Sequence, residues 1–192
     1  MTKPAPAPGD IAAALGAKDK APLPAARRGP VLCGDLDMRI ARDGTWFYHG
    51  SPIGRKPLVK LFASVLSRDQ DGAYWLTTPV EKGRIDVDDA PFIAVALTAS
   101  GEGRDQALRF RTNIDDEVTA GPDHPIRVSV DGGTGEPSPY ILVRGRLEAL
   151  IARAVFYQLV ELGVEHEADG EPQYGVWSKG CFFTLGTMPR PI

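Results

Sequence analysis

Five arginines fall on the polar positions of predicted strands: Arg109, Arg111, Arg127, Arg144 and Arg146. A planar guanidinium binds carboxylate or phosphate through paired hydrogen bonds. Trp46, Tyr48, Tyr74 and Trp177 add flat rings on which a planar ligand can stack. Together these residue types suit a small anionic aromatic ligand, such as a nucleotide. The competing expectation is plainer. The arginines pair with the 25 acidic residues on an ordinary surface, and the rings fill the core.

Other chemistries find less support. A phosphate-cradling Walker loop needs Lys-Ser/Thr after its glycines, and Asp131-Gly132-Gly133-Thr134-Gly135-Glu136 has no such pair. Gly101-Glu102-Gly103 lacks the third glycine of a dinucleotide fingerprint. Both read as connections between strands. His49, His124 and His166 are far apart, and Asp86, Asp88 and Asp89 lack calcium-loop spacing, so no metal site is expected. Ser51 and Ser178 sit beside glycines without the nucleophile-elbow pattern. No catalytic residue and no cofactor can be named from spacing.

Composition narrows the class. The chain has 192 residues, 43% of them hydrophobic, enough for a buried core. Its net charge is −3, which disfavours a duplex nucleic-acid binder, since that needs a basic surface. No apolar run approaches the roughly 20 residues that span a bilayer, and no secretory leader is expected. Cys33 and Cys181 are the only cysteines. They read as small buried hydrophobes in a reduced, cytoplasmic protein.

The elements that would position these residues follow from periodicity. Residues 1–30 form a Pro/Ala-rich tail with a possible short helix, Ile11 to Lys18. Leu36, Met38 and Ile40 alternate on a strand, Asp43-Gly44 turns it, and Thr45 to Tyr48 return. Pro57 opens a helix with Leu58, Leu61, Phe62, Val65 and Leu66 on one face. Strands follow at Tyr74 to Thr78 and around Ile85 and Val87, and a seam falls at Asp88-Asp89-Ala90-Pro91. Phe92 to Ala99 reads as a strand buried on both faces, and Leu108 and Phe110 face inward on the next. Ile126 to Val130 and Tyr140 to Leu147 are strands, the second carrying Arg144 and Arg146 on one side. A helix with Val155, Phe156 and Leu159 then ends at Gly163, a C-cap. Tyr174 to Trp177 pairs with Phe182 to Leu185. Hairpin, helix and strand pair thus occur twice, near 36–88 and near 126–186, which suggests a duplication. The expected fold is α+β and mostly antiparallel, with two β-rich lobes at 31–88 and 89–192.

Several motifs carry a resemblance. They are Trp46-x-x-His49-Gly50-x-Pro52-Ile53-x-Arg55, Asp71-Gly72-x-Tyr74-x-Leu76-x-Thr78-Pro79-x-Glu81-Lys82 and Phe110-x-Thr112-Asn113. Pro139-Tyr140-x-x-Val143-Arg144 and Gly175-x-Trp177-Ser178-x-Gly180 complete the set. The chain is similar over about 33–187 to the DUF1285 family of uncharacterised bacterial proteins. The resemblance implies a duplicated core, a C-terminal lobe superficially like a pleckstrin-homology domain, and a nucleotide-like ligand at the domain interface in a signalling role. It implies no enzymatic activity and no established functional residue. The combined expectation is a non-catalytic binding module whose site draws on Trp46, His49, Arg55, Thr78, Glu81, Lys82, Asn113, Arg144 and Trp177. Arg55 and Arg144 would bind the anion, Trp46 or Trp177 would stack, and Glu81 or Asn113 would read a base or sugar edge. The alternatives are a hydrolase using His49 and Glu81 in the same cleft, and a protein-interaction domain without ligand.

Overall fold

Alternation at the start of the body becomes a strand. In the computed structural model, which describes residues 30–168 and 171–187, β1 (Val31–Ile40) buries Leu36, Met38 and Ile40 and exposes their neighbours. The tail helix expected at Ile11 to Lys18 lies outside the described residues. Gly44 adopts a φ of +82° and donates its N–H to the Ala41 carbonyl (2.9 Å), which turns the chain into β2 (Trp46–Tyr48). The Asp43 carboxylate accepts the Thr45 N–H at 2.9 Å, so the turn residue is itself tied down. A short β3 (Ser51–Pro52) pairs with β2.

Pro57 lies in the first turn of α1 (Lys56–Ser64), which buries Phe62 and Ala63. The helical stripe stops before Val65 and Leu66. The Val65 carbonyl accepts the Thr77 N–H (3.0 Å) and Leu66 pairs with Leu76, so sheet pairing takes over at a β-branched residue. β4 (Leu66–Arg68), β5 (Tyr74–Thr77) and β6 (Glu81–Val87) complete a six-stranded sheet ordered β3-β2-β1-β6-β5-β4. Its central pair, β1 and β6, is parallel, and its other neighbours are antiparallel.

A second sheet follows from β7 (Phe92–Ser100), β8 (Ala107–Thr112), β9 (Glu117–Thr119), β10 (Ile126–Val130), β11 (Pro137–Arg144) and β12 (Leu147–Ile151), with a 3₁₀ turn at Gly103–Asp105. Its order, β9-β8-β7-β12-β11-β10, reproduces the first when each is counted from its own first strand. The parallel pair recurs as β7 and β12. Beyond it come α2 (Arg153–Glu161) and a three-stranded antiparallel sheet, β13 (Val164–Ala168), β14 (Glu171–Ser178) and β15 (Cys181–Thr187).

The α+β fold with two β-rich lobes is therefore as read from the sequence. The repeat frame differs. Hairpin, helix and strand pair do occur in 126–186, but β10 to β12 belong to the second sheet and the rest lies outside it. Strand order instead matches 31–87 to 92–151. Periodicity marks strands and is silent on long-range partners. The chain divides into two compact units, one ending at Pro91 and the next starting at Phe92. Ion pairs from Arg39 to Asp88 (2.6 Å) and from Arg42 to Asp89 (3.2 Å) keep both aspartates with the first unit, and the division falls at the end of the Asp88-Asp89-Ala90-Pro91 stretch. Among the described residues no helix is long and apolar enough to cross a membrane.

Local corrections have local causes. β7 is buried only at Phe92, Ile93 and Ala94, and Val95 onward is exposed or half-buried. Gly145, at φ +53°, ends β11 and puts Arg146 in a turn, off the strand that carries Arg144. Gly163 is needed for space, because an added Cβ would lie 2.4 Å from the Tyr174 ring. Cys33 and Cys181 form no disulfide among the described residues and are half-buried, less enclosed than expected.

Gly83 fills the same role in the first sheet. A Cβ there would lie 2.3 Å from Leu36 Cγ, and Leu36 is buried. Gly54 faces open space. Urea denaturation should show Gly83→Ala destabilised by about 1–3 kcal/mol, the usual cost of overpacking. Gly54→Ala should be neutral or slightly stabilising.

Candidate anion-binding site

Six of the nine residues singled out from sequence lie in the first unit. Trp46 is 1% exposed and stacks on Phe62, with centroids 6.3 Å apart. It is core, so it offers no face to a ligand. Its indole N–H is buried without a partner among the described residues. Thr78 is also buried, and its hydroxyl donates to the Glu81 carbonyl (3.1 Å) while accepting the Glu81 N–H (3.0 Å). That residue builds the turn from β5 to β6. Glu81 and Lys82 open β6, half-buried. Arg55 precedes α1, is exposed, and makes no ion pair among the described residues.

His49 stands at the other end of the sheet. Its Nδ1 lies 2.5 Å from Asp37 Oδ2, beside the Met38–Tyr48 pairing of β1 and β2. Glu81 pairs instead with Val31, the first residue of β1. The two residues of the hydrolase alternative are therefore set beside different parts of β1, Glu81 at Val31 and His49 at Asp37.

Lys82 does meet an aromatic ring. Its Nζ lies 4.4 Å above Trp75, whose indole N–H donates to Asp69 Oδ2 (2.7 Å). The Trp75 N–H holds the Asp69 carboxyl below its ordinary range, and the backbone N–H of Ala73 and the Lys82 charge add to the effect. Arg39 does the same to Asp88 through its hydrogen bonds.

In the second unit, most strand arginines are neutralised. Arg144 pairs with Asp116 and lies over the Phe92 ring at 5.0 Å. Arg127 grips Glu148 with two bonds, 2.5 and 2.6 Å long. Arg109 and Arg111 lie near Glu117 (3.7 Å) and Asp115 (3.6 Å). Asn113 is a clamp: its Oδ1 accepts the Ile93 N–H (3.1 Å), and its own N–H donates to the Ile93 carbonyl (2.8 Å). For these residues the ordinary surface reading prevails. Among the described residues no three His, Cys, Asp or Glu side chains gather to hold a metal ion.

Trp177 differs. The two-residue loop Lys179-Gly180 joins β14 to β15 with positive φ at both positions, +51° and +74°. Trp177 and Phe182 are cross-strand partners on one face, 5.2 Å apart, and His166 of β13 packs at 5.0 and 4.7 Å from them. Glycine at 175 makes this possible, since a Cβ would come within 2.7 Å of the Phe182 ring. Arg104 lies over Trp177, with its guanidinium carbon 4.7 Å from the ring centroid.

The loops carrying these groups are stitched together. Gly180 N–H donates to the Arg104 carbonyl (3.1 Å), and Lys179 N–H to that of Gln106 (2.8 Å). The Gln106 amide donates to the Trp177 carbonyl (3.1 Å). Beneath them, the buried Ser178 hydroxyl accepts the Leu108 N–H (3.0 Å) and donates to the Ala120 carbonyl (2.7 Å). Arg104 and Lys179 are exposed and have no ion-pair partner among the described residues. Arg104 thus rests over a ring with its charge unspent among the described residues. Sequence reasoning found Trp177 and missed Arg104, Lys179, His166 and Phe182. A usable signal was present: a lysine occupying a turn position that favours glycine and asparagine, two residues from a tryptophan.

The depressed Asp69 and Asp88 carboxyls set a pH dependence. A carboxyl whose folded value lies below its unfolded one adds stability above about pH 4, and that stability is lost as pH falls through the lower folded value. The thermal midpoint should therefore fall as pH drops below about 4. Asp69→Asn should lower the midpoint at neutral pH and flatten part of that acid limb, read by Trp fluorescence.

The comparisons with known proteins agree with this architecture. Residues 23–90 match the model described as the DUF1285 N-terminal domain of unknown function, and residues 91–185 match the DUF1285 C-terminal domain. A solved DUF1285 family protein from Silicibacter pomeroyi DSS-3 is 49% identical, with a TM-score of 0.79, over 93% of this chain and 94% of that one. Another from Shewanella baltica OS155 is 29% identical, with a TM-score of 0.52, over 66% of this chain and 91% of that one. No curated protein matches. With both domain models matched in order and a solved relative alike along nearly its whole length, the chain belongs to the DUF1285 family.

Proposed function

We propose that this protein is a non-catalytic binding module for a small, nucleotide-like anionic ligand, working in cytoplasmic signalling. The observation that carries the reading is Arg104 over the Trp177 ring, 4.7 Å from its centroid, without an acidic partner among the described residues. A guanidinium already held against a ring loses less entropy when its donors close on phosphate or carboxylate. Lys179, two residues beyond Trp177, adds a second unpaired cation. His166 and Phe182 supply ring surface beside them for a planar group. Arg144, paired with Asp116, drops out of the expected anion set. Two part-exposed cysteines outside any disulfide among the described residues fit a reducing compartment.

A thermal-shift screen with AMP, ADP, inorganic phosphate and adenosine tests the reading, followed by calorimetric titration. Phosphorylated ligands should stabilise the protein without turnover, and adenosine should not. A charge-assisted hydrogen bond contributes about 1.5–3 kcal/mol, so Arg104→Ala should weaken binding by roughly ten- to a hundredfold. Turnover of a ligand would make the protein an enzyme, and no shift with any phosphorylated compound would discard the binding role.

A further inference from the structure

Asp37 and His49 take no part in the anion site, and their geometry is costly. Both occupy the left-handed backbone region, at φ +49° and +46°. His49 owes its conformation to the two-residue loop it forms with Gly50 (φ +73°) between β2 and β3, whereas Asp37 lies within β1, where a positive φ on a residue with a Cβ is uncommon. Two bonds hold the pair: the His49 N–H donates to the Asp37 carbonyl (3.0 Å), and Nδ1 meets the Asp37 carboxylate at 2.5 Å. Asp37 is itself fixed, since its N–H donates to Asp35 Oδ1 (2.9 Å) within a stretch where β1 slips register against β6. The Tyr48 ring meets the imidazole edge-on, with centroids 4.1 Å apart.

A carboxylate at Nδ1 keeps the proton there and leaves the lone pair of the neutral ring on Nε2. The His49 and Asp37 side chains are 54% and 67% exposed, so Nε2 is open to solutes. The other two histidines differ. His124 sets Nδ1 against the neutral Leu142 carbonyl (3.0 Å), and His166 packs against the rings of Trp177 and Phe182.

We propose that His49 is a phosphoryl-accepting side chain, modified at Nε2 and oriented by Asp37. The Nε2 lone pair attacks phosphorus of a small N-phosphoryl donor, forming an N–P bond. The donor's own P–N bond breaks, and its nitrogen leaves with the bonding pair as ammonia. Nδ1 keeps its proton, and the Asp37 carboxylate offsets the positive charge of the phosphorylated ring.

The full chain is incubated with potassium phosphoramidate and read by intact mass and by proton–phosphorus NMR. One phosphoryl group is expected, on His49 Nε2, stable in alkali and lost in acid. His49→Gln should abolish it. Asp37→Asn should slow it several-fold with an unchanged circular-dichroism spectrum, and Asp37→Glu should restore part of the rate. Arg104→Ala should leave it untouched, which separates this site from the anion site. A phosphoryl group on His124 or His166 at equal rate, none on His49, or an unaltered rate in Asp37→Asn would overturn the assignment.

Discussion

Each six-stranded sheet is closed by a parallel pairing of its own first and last strands, β1 with β6 and β7 with β12. A parallel pair cannot be joined by a tight turn, so the intervening chain must travel out and back. That constraint places β2 and β3 on one flank and β5 and β4 on the other, and the same arrangement follows in the second sheet. It also separates residues that are close in sequence logic. His49 and Glu81 belong to one run of motifs, yet they lie beside different parts of β1, at Asp37 and at Val31.

Much of the local structure was legible. Leu36, Met38 and Ile40 alternate and are buried, Asp43-Gly44 turns the chain, and Leu108 and Phe110 point inward while Arg109 and Arg111 point out. These features depend on neighbours in the chain. Features set by distant partners were not legible. The stripe of α1 reads on through Leu66, and only pairing with Leu76 shows that the helix has ended. Tyr140 to Leu147 reads as one strand until Gly145 is seen at positive φ. Trp46 and Trp177 look alike as strand tryptophans, but one is sealed against Phe62 and the other borders solvent.

Charge pairing explains why the candidate site moved. An arginine on a strand stands among ladder neighbours at cross-strand distance, and here those neighbours include acids. Arg109 and Arg111 reach Glu117 in β9 and Asp115 just before it, and Arg127 reaches past β11 to Glu148 on β12. Arg104 sits in a 3₁₀ turn outside the ladder, and Lys179 sits at a hairpin tip. Neither has a strand partner to supply a carboxylate. The features that make loops poor in sheet contacts thus leave these two charges available, while hydrogen bonds between the loops keep them in place.

The parallel closure also bears on how the first unit would respond to pulling. Because β1 and β6 run the same way, the chain enters at Val31 and leaves at Val87, at opposite ends of the ladder. Tension applied along the chain would load that ladder in shear, straining its hydrogen bonds together, whereas a hairpin peeled from its open end yields one bond at a time. Mechanical resistance would then reside in this central pair, with the antiparallel flanks carrying little of the force.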